Sequence, residues 1–290
     1  MGRLKPLQRA LLDWGDEVRR DLPWRATRDP WAVLVSELML QQTQVARVVP
    51  RWEAFLSRFP SAPVCAAAPV AEVVQAWAGL GYNRRALNLH RSAQTVVDRH
   101  GGELPRDLEA LLALPGVGPY TARAVLVFAF EQDRGLVDTN AGRFLARAAM
   151  GRSLARGEAQ SVADGLVPEG HGWAWGQAVF DLGAMACTRR SPSCRTCPLR
   201  AHCAWANAGF PAPDPVVGSA GVSVPQSTFA GSDRQGRGRL VDALRNGPVS
   251  YVDLAPIMGW PDDVSRALLV ADRVVADGLA TRDDTAFRLA

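Results

Sequence analysis

The stretch that decides the fold is LPGVGPYTARAVL, residues 114–126. An apolar residue, a proline and a Gly-x-Gly sequence lead directly into an apolar helix, which is the pattern of a helix-hairpin-helix element. Gly116, Val117 and Gly118 form a hairpin whose backbone can approach a phosphate closely, with the N–H groups of the next helix facing the anion. Such contacts position a protein on DNA without reading its sequence. An ordinary glycine-containing turn is the alternative, but the complete string favours DNA.

The rest of the main body is predicted to be all-α. Proline or glycine stands at nearly every junction between apolar periodic segments, as helix ends require. No alternation typical of strands occurs before about residue 220. Helices are predicted at 7–20, 30–46, 49–58, 69–78, 84–99, 106–113, 119–130, 139–150, 157–165 and 171–186.

The C-terminal region differs in character from the main body. Residues 207–232 are rich in proline and glycine and poor in charge, which predicts a linker. Beyond it the pattern predicts a helix, a short strand, two helices and a β-hairpin, which is a winged-helix-like α+β module over residues 233–290. Its elements are expected at 237–246, 247–250, 251–258, 262–277 and 279–289.

Composition excludes several classes of protein. With 48% hydrophobic and 21% charged residues, the chain has the composition of a globular protein, and no apolar run is long enough for a signal core or a membrane span. Localisation is therefore predicted to be cytoplasmic, and nucleoid-associated if the partner is DNA. The net charge of +4 indicates attraction to polyanions, but residues 231–290 carry eight Arg and nine Asp, so the basic surface belongs to residues 1–230.

Four of the five cysteines lie close together near the end of the main body. Cys187, Cys194, Cys197 and Cys203 have the spacing C-x6-C-x2-C-x5-C. Zinc sites usually pair two close hooks across a longer gap, so a four-thiolate iron–sulfur cluster is the better interpretation. Two disulfides are the alternative, which a reducing compartment disfavours. Cys65 is expected to be a small packed residue.

Asp138, in the string LVDTN, precedes a helix that is expected to begin near Asn140. Aspartate is a good N-cap, so a purely structural role is one interpretation. A carboxylate at a helix N-terminus is also expected to stay ionised, which suits the stabilisation of a cationic sugar. Asp138 alone does not separate these two roles.

Glu37 lies within VSELMLQQTQV, residues 35–45. Its neighbours on a helix are largely aliphatic, so the carboxyl should be buried, and burial raises a carboxyl pKa into the range of a general acid. A salt-bridged core glutamate is the alternative. One neutral and one ionised carboxyl together are typical of enzymes that cleave glycosidic bonds, and the N-glycosidic bond to a base is one such bond.

Five segments together resemble the adenine DNA glycosylase (MutY) family of the helix-hairpin-helix, endonuclease III superfamily. They are LMLQQTQV, AWAGLGYNRRALNLH, LPGVGPYTA, VDTN and DLGAMACTRRSPSCRTCPL, and the similarity covers about residues 7–206. The resemblance implies a six-helix barrel over 27–133, and an α-domain of residues 7–26 and 134–206 that holds a 4Fe–4S cluster. It implies a monomer that removes adenine mispaired with 8-oxoguanine or guanine from double-stranded DNA.

The resemblance also implies roles for individual residues. Glu37 matches the acid that protonates the leaving adenine, and Asp138 the carboxylate that stabilises the oxocarbenium ion. The other implied positions are Tyr120 and Asn140 around the sugar, Arg25 and Leu40 in the adenine pocket, Gln41, Gln42 and Thr43 among the DNA-binding residues, and Tyr82 as an intercalating ring. A wedge is needed because a base must leave the stack before chemistry can reach it. The alternatives are a core aromatic at Tyr82 and a solvated amide at Gln42.

Position 120 bears on the mechanism. Endonuclease III-like enzymes carry a lysine there that acts as a Schiff-base nucleophile, whereas this chain has Tyr120, and Lys5 is its only lysine. We therefore expect a monofunctional glycosylase. Two other functions stay open: a mismatch thymine or uracil glycosylase, and a non-catalytic DNA-binding iron–sulfur protein. The winged-helix-like module departs from the larger Nudix-like domain of many relatives, so the preference for 8-oxoguanine over guanine is left undetermined.

Overall fold

The computed structural model describes residues 4–219 and 228–290. The described residues divide into two compact units. The first unit contains those of Met1–Val33, Arg106–Leu108 and Gly118–Pro225, and the second those of Leu34–Pro105, Glu109–Val117 and Gln226–Ala290. The C-terminal module, taken from here on as residues 228–290, therefore belongs to the same unit as residues 34–105.

The described chain is mainly helical, as predicted. In chain order the helices are α1 Pro6–Val18, α2 Pro30–Leu40, α3 Val45–Arg58, α4 Ala62–Ala67, α5 Val70–Ala76, α6 Arg84–His100, α7 Leu108–Leu112, α8 Pro119–Phe128, α9 Thr139–Phe144, α10 Arg156–Leu166, α11 Gly172–Met185, α12 Ala204–Asn207, α13 Asp233–Leu244, α14 Tyr251–Met258 and α15 Val264–Ala276. Short 3₁₀ turns lie at Pro23–Arg25 and Arg200–His202, and a π-helical turn at Leu145–Met150 continues α9.

The core of the first unit is built on α1, α9 and α11. Leu11, Phe144 and Leu182 are almost completely buried in it, and Trp175 packs its ring edge-on against Phe144 with centroids 5.8 Å apart. Gly15 allows α1 to approach α11 closely, because a Cβ at that position would lie 2.5 Å from Cβ of Ala178. The small residue at position 15 therefore sets how closely these two helices pack.

The second unit has a core formed by α3–α6, in which the ring of Phe55 contacts those of Phe59 and Trp77. In the C-terminal module, β1 (Val249–Ser250), β2 (Ala280–Arg282) and β3 (Ala286–Leu289) form an antiparallel sheet in the order β1-β3-β2. The predicted sequence of helix, short strand, two helices and hairpin is confirmed, and the first helix begins four residues earlier than expected.

Two predictions about the chain's course differ from the structure. A single helix from Pro30 to about Ala46 was wrong, because α2 ends at Leu40 and Gln42 adopts a left-handed conformation (φ 55°) before α3 begins. The predicted linker, 207–232, is ordered over its described first part, where Val216 and Ser219 are buried. Its residues 220–227 lie outside the described residues.

Substitution Gly15→Ala should lower the free energy of unfolding by about 1–3 kcal/mol, because the added methyl forces α1 away from α11. Chemical denaturation followed by circular dichroism measures the change. Gly165→Ala is the matched control, since Gly165 is an exposed glycine of α10 with no atom within 4 Å of an added Cβ. In the control, the free energy of unfolding should rise by up to about 1 kcal/mol, because alanine has the higher helix propensity. An equal change at the two positions would show that the close approach of α1 to α11 does not require glycine at position 15.

Candidate functional site

The hairpin predicted from LPGVGP lies between α7 and α8. Gly116 is left-handed (φ 77°), and a Cβ there would lie 2.7 Å from Cβ of Asn88 on α6. The buried hydroxyl of Ser92, one turn further along α6, donates to the carbonyl of Pro115 at 2.7 Å. Glycine is thus required at position 116 by both conformation and space.

Gly118 plays a different part in this hairpin from Gly116. It caps α8 in an extended conformation, and no atom lies within 4 Å of an added Cβ. Proline follows at the first position of the helix, so the first backbone N–H group of this helix belongs to Tyr120. The space around Gly118 leaves this helix N-terminus open to a close approach by a phosphate.

Asp138 caps α9 through both carboxylate oxygens. Oδ1 accepts hydrogen bonds from the backbone N–H groups of Asn140 (2.8 Å) and Ala141 (2.7 Å), and Oδ2 accepts from Nδ2 of Asn140 at 3.0 Å. Burial raises the pKa of Asp138 above its ordinary value, although these hydrogen bonds and Arg143 oppose the rise. Desolvation is the largest of these contributions, so the net effect is a raised pKa, and the expectation that Asp138 stays ionised remains a prediction.

Asn140 is held between Asp138 and Arg143. Arg143 donates from Nη2 to Oδ1 of Asn140 at 2.6 Å and from Nε to the carbonyl of Cys187 at 2.8 Å. One guanidinium thus connects a predicted active-site amide with the first predicted cluster ligand. Tyr120 lies in the same unit on α8, with its ring 6.1 Å from that of Phe180.

The four clustered cysteines line one pocket. Its other walls are largely apolar and include Leu182, Leu199 and Phe210, together with the buried guanidinium of Arg147. None of the described cysteines forms a disulfide. Within residues 4–219 and 228–290, no three His, Cys, Asp or Glu side chains are arranged to hold a single metal ion. The pocket itself brings four soft sulfur donors to one space.

Arg147 organises the chain around this pocket. It donates to Sγ of Cys187 (3.6 Å) and to the carbonyl of Thr188 (2.6 Å), and pairs with both oxygens of Asp214 at 2.9 and 2.5 Å. Burial raises the pKa of the Cys187 thiol, and Arg147 opposes that rise. Asp214 lies in the predicted linker, so this segment supplies the counter-charge of Arg147, which lines the cysteine pocket.

Arg25 is buried in the first unit rather than open to solvent. Its side chain is 7% exposed and forms a double hydrogen bond with Asp181, which is 1% exposed. Nη1 lies 2.7 Å from Oδ2 and Nη2 lies 2.9 Å from Oδ1, and Arg20 adds a third contact to the same carboxylate. The predicted role of Arg25 in the adenine pocket stays a prediction, and the geometry adds a structural role that the sequence did not reveal.

Glu37 lies in the middle of α2 and is 5% exposed, so the prediction that its carboxyl is buried is confirmed. Leu40 is the last residue of α2 and is partly buried. Glu37 belongs to the second unit, whereas Asp138, Tyr120 and Asn140 belong to the first.

The remaining predicted DNA-contacting residues surround a single buried arginine that the sequence did not single out. Arg85 donates to the carbonyls of Leu38, Met39 and Gln41 at 2.7–2.8 Å, where α2 ends. It also donates to the carbonyls of Leu80 (3.2 Å) and Gly81 (2.9 Å). Burial lowers the pKa of Arg85 to about 10, which still leaves it charged at neutral pH.

Arg85 therefore joins two turns that carry predicted DNA contacts. The first is the turn after α2, where Gln42 is exposed and Thr43 accepts from Nη2 of Arg85 at 3.1 Å. The second is the Tyr82 turn, defined as residues 79–83, in which the Tyr82 side chain is 45% exposed. The exposure of Tyr82 argues against a purely core role for this ring.

Comparison with known proteins assigns these features to a class. Residues 35–168 match the family described as HhH-GPD superfamily base excision DNA repair protein. The chain is 43% identical over 287 residues to an adenine DNA glycosylase of Mycolicibacterium smegmatis, covering 97% of this chain and 94% of the relative. It is 41% identical to the human adenine DNA glycosylase, covering 67% of this chain and 38% of that protein.

A solved structure of a thermostable thymine-DNA glycosylase superposes with a TM-score of 0.66 at 31% identity, covering 69% of this chain and 94% of that one. The fold and the matched region define a base excision DNA repair protein of the HhH-GPD superfamily. Within that superfamily the chain belongs to the adenine DNA glycosylase family. None of the described helices is both long and apolar enough to cross a membrane.

Substitution Asp181→Asn should lower the free energy of unfolding by about 3–5 kcal/mol at neutral pH, because it leaves Arg25 buried without a counter-charge. The pKa of Asp181 is lowered in the folded state, since Arg25 and Arg20 outweigh the cost of burial. The stabilisation is therefore present above the ordinary aspartate pKa and is lost as pH falls through the lowered value. Denaturant melts at a series of pH values measure this.

The control for this substitution is Asp16→Asn, which removes an exposed pair with Arg19 and should change the free energy of unfolding by less than about 1 kcal/mol. The difference between wild type and Asp181→Asn should shrink in acid. A difference that stays constant down to the lowest pH would contradict the linkage.

Proposed function

We propose that this protein is a monofunctional adenine DNA glycosylase that hydrolyses the N-glycosidic bond of adenine mispaired with 8-oxoguanine or guanine. The observation that carries the proposal is the buried Glu37 on α2, in a chain that aligns over 97% of its length with an adenine DNA glycosylase. An enzyme of this class belongs with DNA in the cell, so we also propose a nucleoid-associated location and action as a monomer.

In the proposed reaction, Glu37 donates a proton to the adenine ring as the bond from C1′ to the base breaks, and the bonding electrons leave with the base. Asp138, in its ionised form, stabilises the oxocarbenium ion and accepts the proton that water loses as its oxygen bonds to C1′, which leaves an abasic site. A developing cation next to Asp138 favours its ionised form, which offsets the effect of burial on its pKa. Tyr120 and Asn140 are proposed to contact the sugar, and Asn140 is pre-positioned by its bonds to Asp138 and Arg143.

The DNA is proposed to meet the protein at the hairpin and at the two turns that Arg85 joins. Gly116, Val117 and Gly118 would receive a phosphate, because this hairpin combines the required glycine at 116 with an open helix N-terminus at 118. The turn after α2 and the Tyr82 turn would insert beside the extruded base. Arg25 and Leu40 are proposed to border the adenine, Arg25 with its guanidinium fixed by Asp181.

We propose that Cys187, Cys194, Cys197 and Cys203 bind a 4Fe–4S cluster in an iron–sulfur domain of residues 7–26 and 134–206, and that residues 27–133 form a six-helix barrel. The common pocket supports this, because it brings together four cysteine side chains, and four thiolates are the ligand set that would hold such a cluster. When bound, the cluster would supply a cross-link within the loop of residues 187–203. Arg147 and Arg143 would orient that loop through its carbonyls and through Sγ of Cys187.

A panel of duplexes tests the function directly. Purified protein should release adenine opposite 8-oxoguanine and opposite guanine, and should leave thymine and uracil opposite guanine intact. Strands should break only after alkali treatment, because no lysine stands at position 120 to form a Schiff base. Glu37→Gln should lower the single-turnover rate about 10²–10⁴-fold while duplex binding persists. Release of thymine in preference to adenine would instead favour a thymine glycosylase.

Substitutions at Asp138 separate its capping role from its chemical role. Asn is as good an N-cap as Asp, so Asp138→Asn should keep the melting temperature of wild type but lower the single-turnover rate at least about 100-fold. Asp138→Ala should lower the single-turnover rate to the same extent and should also lower the free energy of unfolding by about 1 kcal/mol. Full activity in Asp138→Asn would leave capping as the only role of this residue.

A further inference from the structure

The Tyr82 turn has a conformation that the chain does not favour by itself. Gly79 and Gly81 have φ values of 83° and 70°, and Tyr82 itself is left-handed at 47°. An aromatic residue rarely adopts this conformation unless its surroundings hold it there. The contacts around residues 79–84 therefore decide where the half-exposed Tyr82 ring points.

The C-terminal module contacts three consecutive residues at this point. Arg234 donates to the Tyr82 hydroxyl at 3.5 Å, and Arg245 donates from Nη2 to Oδ1 of Asn83 at 2.8 Å. Asp277 pairs with Arg84 at 3.5 Å. Residues 82–84 end the Tyr82 turn and begin α6, so the module reaches the turn at the point where it becomes a helix.

The three contacts differ in how far they are shielded from water, and therefore in how much they contribute to stability. Arg84 is 66% exposed, so its pair with Asp277 is a surface ion pair and contributes little. Arg245 is 7% exposed and Asn83 is 8% exposed, so the hydrogen bond between them is shielded from water. Loss of a buried, charge-assisted hydrogen bond leaves a polar group without its partner, which is the costly case.

Arg245 also ties the module to α5. Its Nε and Nη2 donate to the carbonyl of Val74 at 3.3 and 3.1 Å, and Gln75 donates from Nε2 to the carbonyl of Arg245 at 3.3 Å. Asp242, in the same helix α13, pairs with Nη1. A single side chain of the module is thus fixed on α5, on the Tyr82 turn and within its own helix.

The module approaches the second unit's helices closely elsewhere as well. A Cβ at Gly278, in the turn after α15, would lie 3.0 Å from Nη2 of Arg91 on α6. The alignment with the Mycolicibacterium smegmatis relative covers 97% of this chain, so it includes most of the module. The net charge of −1 over residues 231–290 gives the module little attraction of its own for DNA.

We propose that the C-terminal module is a brace that holds the Tyr82 turn in its DNA-binding conformation, with Arg245 as the positioning residue. Arg85 holds the turn from one side through the carbonyls of Leu80 and Gly81, and Arg245 holds it from the other through Asn83. The brace itself rests on these contacts. Its consequence for DNA rests on the proposed function, in which Tyr82 enters the base stack.

Amide hydrogen exchange of the free full-length protein tests the brace without any DNA. Arg245→Ala should speed exchange in the peptide covering residues 77–86 at least about tenfold, because the turn opens more often without its buried anchor. Arg288→Ala is the matched control, since among the described residues it removes from the module an arginine that pairs with the nearby Asp283. Unchanged exchange at 77–86 in Arg245→Ala would overturn the proposal.

A double-mutant cycle with Tyr82→Ala tests the consequence for DNA. Arg245→Ala should weaken binding of a duplex with adenine opposite 8-oxoguanine about tenfold, while the single-turnover rate at saturating duplex changes less than about twofold. In the Tyr82→Ala background the same substitution should weaken binding less than about twofold. Equal weakening in both backgrounds would show that the module acts elsewhere, and would overturn the proposal.

Two further results keep the test decisive. Should Arg245→Ala fail to fold, Arg245→Lys replaces it. Lysine keeps the charge, but its side chain ends one bond short of Nη2, the atom that donates to both Val74 and Asn83, so exchange should still rise. The exchange experiment needs no substrate, so it can succeed even if the wild-type protein releases no base. Failure of the brace and failure of the glycosylase function are therefore distinguishable.

Discussion

The buried guanidinium of Arg85 is the interaction on which the second unit's functional surface depends. Helix α2, which carries Glu37, ends at Leu40, and its last carbonyls have no partner within the helix. Arg85 donates hydrogen bonds to two of these carbonyls, those of Leu38 and Met39. The same side chain also donates to the carbonyls of the Tyr82 turn. A charged group can stay buried there because carbonyl oxygens on several sides replace its water shell.

In the first unit, other arginines likewise form several hydrogen bonds each with partners from different segments. Arg25 pairs with Asp181, and Arg143 connects Asn140 to the cysteine loop. Arg147, in the wall of the cysteine pocket, pairs with Asp214. Arginine suits all three places because its planar fork donates in several fixed directions at once. In a chain with a single lysine, arginine thus connects buried segments by hydrogen bonds and also supplies the positive charge of the surface.

Several features of the candidate site could be predicted from residues alone. The hairpin at Gly116, the cap at Asp138 and the burial of Glu37 each follow from local sequence, because turn conformation, capping and helical periodicity involve residues only a few positions apart. The end of α2 was not predictable in this way. Residues 41–46 favour a continued helix, and the turn at Gln42 is stabilised by Arg85, more than forty residues further along the chain.

The sequence by itself determined the mainly helical class, the hairpin, the group of four cysteines and the order of elements in the C-terminal module. Only the tertiary structure decided which arginines are buried, that Asp214 pairs with Arg147, and that Arg245 joins the module to the Tyr82 turn. The physical reason is the nature of the partners. The partners of a buried guanidinium are largely backbone carbonyls, which every residue possesses. The sequence therefore does not indicate which carbonyls an arginine will bind, and only the fold determines this.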